Sequence, residues 1–149
     1  MFELGLGKHP MVMATYTQTQ TEIIAPDQWN EFFRELTKEA RGSHATLEII
    51  ANDVGDQIET NDRPFEGVSA DVKDNERTVW ISFGGFPNSA MPDHLTHGVH
   101  NVEAVRVVRG IDTSRMTLEI ESQDHTKTLL LIEHPSKFAL PPGERPSDV

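Results

Sequence analysis

Apolar positions recur at helical spacing in one stretch near the start of the chain and at strand spacing through most of the residues beyond it. Between residues 25 and 42 the apolar residues are Trp29, Phe32, Phe33, Leu36 and Ala40. They form one stripe of a 3.6-residue helix. Pro26 suits the first helical position, where its missing N–H costs nothing. Gly42 suits the position just past the end. Asp27 in the first turn and Lys38 and Arg41 in the last complement the helix dipole. Ala25 is a poor cap, having no side-chain oxygen to meet the free amides, so Ile23 or Ile24 is expected to pack on the first turn instead.

After Gly42 the period changes to two. Residues 45–51 read as a strand, 52–55 as a turn, and 56–60 as a short return strand broken by Asn61, Asp62, Arg63 and Pro64. Residues 65–73 and 77–84 form the clearest hairpin, turning at 74–76. Val68, Ala70 and Val72 share a face there, as do Val79, Ile81 and Phe83. Trp80 falls on the opposite face, and burial under the helix or tail is its expected fate. Residues 84–92 read as a loop holding Phe86 and Met91. Residues 93–99, 102–109, 115–122 and 126–133 are further strands. Leu129, Leu130, Leu131 and Ile132 are apolar on both faces, which suggests a central strand covered on both sides.

These elements predict an α+β fold: one N-terminal amphipathic helix on a meandering antiparallel sheet of about six or seven strands. A small β-barrel with the helix as plug is the alternative. Residues 22–134 form the expected single domain. Residues 1–21 are expected as a flexible extension or an added edge strand, with Met11 or Met13 as a candidate start. Residues 135–149, holding Pro135, Pro141, Pro142 and Pro146, are expected as a proline-rich tail.

Charge narrows the partners. The net charge of −11 disfavours nucleic acid and anionic membrane surfaces. From Glu48 to Glu76 nine acids face only Arg63 and Lys73, a balance of −7. Such a run reads first as a solvated face, and second as a docking face for a basic partner. There are no cysteines, so disulfides, cysteine nucleophiles and thiolate metal sites are excluded. No apolar run has the length of a membrane span, and the expected location is cytoplasmic.

The chemistry worth weighing is Asp93, His94, His97 and His100. Three imidazoles and a carboxylate in eight residues are ligand types for zinc or another divalent metal. The spacing opposes it. On a strand His94 and His100 share a face about 20 Å apart, and His97 points the other way. The favoured reading is a strand with ordinary histidines and no cofactor. Glu119 and Glu121 share the outer face of their strand and read as solubilising. Nucleophile and phosphate-loop motifs are absent.

From residue 23 to 132 the chain resembles a family of small uncharacterised bacterial proteins, a domain of unknown function. The residues that carry the resemblance are Pro26, Trp29, Phe32 and Phe33; Glu66, Gly67, Val68 and Ser69; Asp93 to His97; and Leu118 to Ser122. It implies no activity, cofactor or substrate. The resulting expectation is a non-enzymatic binding domain that engages a protein partner or forms a homodimer. Trp80, Phe86 and Met91 are its candidate contact residues. A metal-binding or histidine-based enzyme centred on residues 93–100 is the alternative.

Overall fold

The computed structural model describes residues 19–51, 55–85, 94–110 and 115–133. One helix packs on an eight-stranded antiparallel sheet. The elements are β1 (Thr19–Ile24), a 3₁₀ turn (Pro26–Gln28), α1 (Trp29–Ala40), β2 (His44–Ala51), β3 (Gly55–Lys73), β4 (Glu76–Gly84), β5 (His94–Val99), β6 (Val102–Gly110), β7 (Met116–Ser122) and β8 (Lys127–Glu133). Their order across the sheet is β1-β6-β7-β8-β2-β3-β4-β5. β1 and β5 lie at opposite ends of that order, so the sheet is not closed into a barrel.

The helix follows its apolar stripe. Trp29, Phe33, Leu36 and Ala40 are buried, and Phe32 packs partly buried against them. Ala25 supplies no side-chain cap. The Trp29 indole instead donates to the Ile24 carbonyl at 2.9 Å, which fixes the end of β1 over the first helical turn. At the other end Gly42 has φ +91°, a conformation that a residue with a Cβ resists.

β3 is where expectation and structure differ most. The sequence suggests a break at residues 61–64, yet the strand runs unbroken for 19 residues. It changes partner there instead. Its first part pairs with β2 as far as Pro64, and its second part pairs with β4 from Phe65 onward. An irregularity between Phe65 and Gly67 inserts Glu66 into the ladder, so Phe65 and Val68 both reach the core. The β3–β4 turn is Asp74-Asn75, both at positive φ, as a two-residue hairpin of this hand requires.

Other expectations also shift. β1 takes up residues 19–21 of the expected extension and pairs with β6 throughout, because Ile24 joins the core beside Val105. It is also the strand that takes the sheet beyond the six or seven expected. β8 is central, between β7 and β2, as its composition suggests. Leu130 and Ile132 are buried, but Leu129 and Leu131 lie half-buried on a face with no helix against it among the described residues.

Candidate functional site

Two side chains of α1, Arg34 and Lys38, and Arg41 at its C-terminal cap edge one groove among the described residues. Arg34, Lys38 and Arg41 follow one another at i, i+4 and i+7, so they project from one side of the helix. Glu31, Glu35 and Glu39 form an adjacent acidic row, with Glu31 and Glu35 three residues before Arg34 and Lys38. The three cations edge a groove of about 490 Å³, with Asn30, Thr37 and Ser69 completing its polar lining. Phe33 and Val68 form its apolar floor. Among the described residues, Arg34, Lys38 and Arg41 form no ion pair. Arg41 Nε donates to the Glu66 carbonyl at 3.2 Å, which steadies that side chain at one end of the groove.

Thr37 positions the helix against β3. Its hydroxyl accepts the Val68 N–H at 3.0 Å and lies 3.2 Å from the Val68 carbonyl, to which it donates. Gly42 N–H to the Phe65 carbonyl, and Phe65 N–H to the Ser43 carbonyl, at 2.7 Å each, continue the same seam. β2 no longer flanks β3 beyond Pro64, so these contacts satisfy backbone groups that would otherwise form a bare sheet edge. The seam stops at Val68. Alternation along the strand then aims the N–H and C=O of Ala70 and Val72 the same way as those of Val68, away from β4. Among the described residues they have no partner. Val72 is 56% exposed.

The histidines lie elsewhere. β5 separates them as its geometry requires, with His94 and His100 on one face and His97 on the other. His94 Nδ1 is 3.1 Å from Glu66 Oε1. His100 Nδ1 is 3.4 Å from Thr78 Oγ1, and its ring meets Trp80 edge-on at 5.7 Å. His97 is half-buried, and burial pushes its pKa below the ordinary imidazole value. Glu59 opposes that shift and His100 adds to it. Among the described residues no three metal-ligating side chains are gathered. Asp93, Phe86 and Met91 lie outside the described residues.

Trp80 corrects its expectation of burial. It is 39% exposed and lies over Gly98, the residue paired with it across the β4–β5 ladder. A Cβ at Gly98 would stand 2.6 Å from Trp80 Cζ3, so the ring occupies space that only glycine leaves open. Glu119 and Glu121 are committed to Arg106, whose Nη1 donates to them at 2.7 and 3.0 Å. That contact holds the Glu121 carboxyl below its usual range.

Arg34, Lys38 and Arg41 are not among the candidates that the sequence suggests. Their signal is present in it: three cations on one helical flank of an acidic chain. Nothing in the sequence shows that Val68 and Ser69 of β3 come to lie beside them.

An α+β domain with one helix seated on an open sheet edge is the class these features define. A model of the family of unknown function DUF5335 matches residues 20–141, and the chain belongs to that family. It is also similar to an uncharacterised protein of Aquifex aeolicus (strain VF5). The two are 34% identical over 113 residues, covering 76% of this chain and 92% of the relative. No solved structure matches.

Proposed function

We propose that the chain is a non-enzymatic binding domain, and that the α1–β3 groove receives an anionic segment of a protein partner. One observation carries the reading: Arg34, Lys38 and Arg41 converge on a single groove without an ion pair among the described residues, in a chain of net charge −11. Cations in so acidic a chain have many carboxylates available. Leaving three together keeps a local positive field that an outside anion can complete. The groove is shallow and lacks a paired acid and base, which suits binding rather than chemistry. The overall negative charge opposes a nucleic acid as the anion.

The test is titration of isotopically labelled protein with hexaglutamate, followed by amide NMR. Saturable shifts at Thr37, Lys38, Arg41 and Ser69 are expected. Arg34→Glu/Lys38→Glu removes them while leaving the spectrum folded, since both side chains are exposed. Absence of shifts in the groove at millimolar peptide, or equal shifts with the double variant, overturns the reading.

A further inference from the structure

We infer that a second site lies where the β3–β4 turn, the β5–β6 connection and the end of β7 meet, and that it takes a free α-amino acid with a small aliphatic side chain. The site is a cavity of about 340 Å³ and shares no residue with the α1–β3 groove. Asn75 lines it from the β3–β4 turn, Asn101 from between β5 and β6, and Gln123 from just after β7. Asn75 and Asn101 both sit at positive φ, 68° and 53°, which asparagine tolerates better than most residues. The Gln123 N–H donates to the Asn101 carbonyl at 2.9 Å, so these two parts of the wall are tied together. The side-chain amides of all three take no hydrogen bond among the described residues, which leaves donors and acceptors for a ligand.

Opposite charges stand on this cavity without meeting. Arg77 is paired with Val72 across the β3–β4 ladder, and its Cζ lies 5.5 Å from the centroid of the Trp29 ring. That contact holds the guanidinium over a buried indole and supplies no carboxylate. Glu103 owes its position to a bulge in β6. Val102 pairs with Ser122 and Ala104 with Glu121, so Glu103 has no residue opposite it. The extra residue lets Val102 join Val105 and Val107 in the core and sets Glu103 on the cavity wall. Neither Arg77 nor Glu103 forms an ion pair among the described residues, with the other or elsewhere.

A zwitterion answers this pattern. Its carboxylate suits the Arg77 fork and the neighbouring amides, and its ammonium suits Glu103. A simple carboxylate would leave Glu103 without a counter-ion, and a simple amine would leave Arg77 without one. Val72, 56% exposed, and Val102 offer an apolar surface to a short aliphatic side chain. An α-amino acid also carries no net charge, so the chain's −11 does not oppose its approach.

The probe is L-valine, titrated into the full chain and followed by amide NMR. Saturable shifts at Asn75, Arg77, Asn101 and Gln123 are expected, with Thr37 and Lys38 unmoved. Isovalerate lacks the ammonium and isobutylamine lacks the carboxylate, and each is expected to bind about tenfold more weakly. Glu103 is exposed, so Glu103→Gln is expected to keep the fold and to bring L-valine down to the affinity of isovalerate. Arg77→Gln is expected to abolish binding. Because it also uncovers Trp29, Glu103→Gln carries the decision if Arg77→Gln fails to fold. Equal affinity for L-valine and isovalerate, unchanged affinity in Glu103→Gln, or no saturable shift at millimolar L-valine overturns the proposal. Shifts confined to Thr37, Lys38 and Ser69 overturn it as well, and assign the amino acid's carboxylate to the α1–β3 groove instead.

Discussion

The Thr37 hydroxyl holds both backbone groups of Val68, accepting its N–H at 3.0 Å and donating to its carbonyl at 3.2 Å. One side chain thus substitutes for the strand that β3 lacks on this flank. Thr37→Val keeps the shape and removes both bonds, leaving a partly buried peptide unit unsatisfied. A loss of about 1–3 kcal/mol is expected. Thr37→Ser retains the hydroxyl and is expected to recover most of it. Urea denaturation of the two variants provides the comparison.

Trp29 is the corresponding anchor at the helix's other end. It is buried, and its indole N–H is bonded to Ile24. Trp29→Phe removes that bond and leaves space, with an expected cost of about 2–4 kcal/mol. The effect is expected to concentrate in β1, whose last residue loses its tie. Hydrogen exchange in β1 that accelerates no more than that of β7 would contradict this.

Trp80 and Gly98 define a second relationship. In Gly98→Ala the new methyl meets the ring, and the ring is the part free to move. The expected result is a more exposed indole at a stability cost under about 1 kcal/mol. Because the chain's other tryptophan is buried, acrylamide quenching reports Trp80 almost alone. A Trp80→Ala background is expected to remove the cost of Gly98→Ala, since neighbours that clash are not additive.

Arg106 gathers Glu119 and Glu121 on the outer face. Arg106→Gln leaves two carboxylates side by side with only Lys127, 3.8 Å from Glu119, as a nearby lysine or arginine among the described residues, and a loss of about 1–2 kcal/mol at neutral pH is expected. The Glu121 pKa is lowered in the folded state, first by the Arg106 hydrogen bond and then by His125. Its contribution is therefore present above the usual carboxylate range and lost as pH falls through the folded value. The variant is expected to lose less stability than the parent between about pH 5 and pH 3, measured by urea midpoints.

His97 acts in a higher window. Burial lowers its folded pKa beneath the ordinary 6.5, so between the two values the unfolded chain holds more protons. The associated stability is complete above about 6.5 and declines as pH falls through the folded value. His97→Gln is expected to flatten the stability profile between about pH 7 and pH 5. A parent profile that is already flat there would exclude this role.

Much of the fold is legible in the sequence because local patterns suffice for it. Trp29, Phe33, Leu36 and Ala40 fix the helix and its buried side, and Gly42 marks its end. Val68, Ala70 and Val72 against Val79, Ile81 and Phe83 give the β3–β4 hairpin and its inward face. The alternation of Met116, Leu118 and Ile120 does the same for β7. The separation of His94, His97 and His100 also comes from the strand period alone. Each of these depends on neighbours along the chain, where covalent geometry sets which side chains share a face.

Long-range pairing decided the rest. Asn61, Asp62, Arg63 and Pro64 have the composition of a break, yet β3 passes through them because β2 pairs with the strand up to Pro64 and β4 takes over from Phe65. Trp80 reads as a core residue until Gly98, 18 positions away, gives it a seat on the outer face. Arg34, Lys38 and Arg41 read as helix solubility until β3, released by β2 at Pro64, brings Val68 and Ser69 beside them to form a groove. Sequence determined which faces are apolar. Only the tertiary structure decided which strand would be left without a neighbour, because that depends on where the partner strands end in space rather than on any residue of the strand itself.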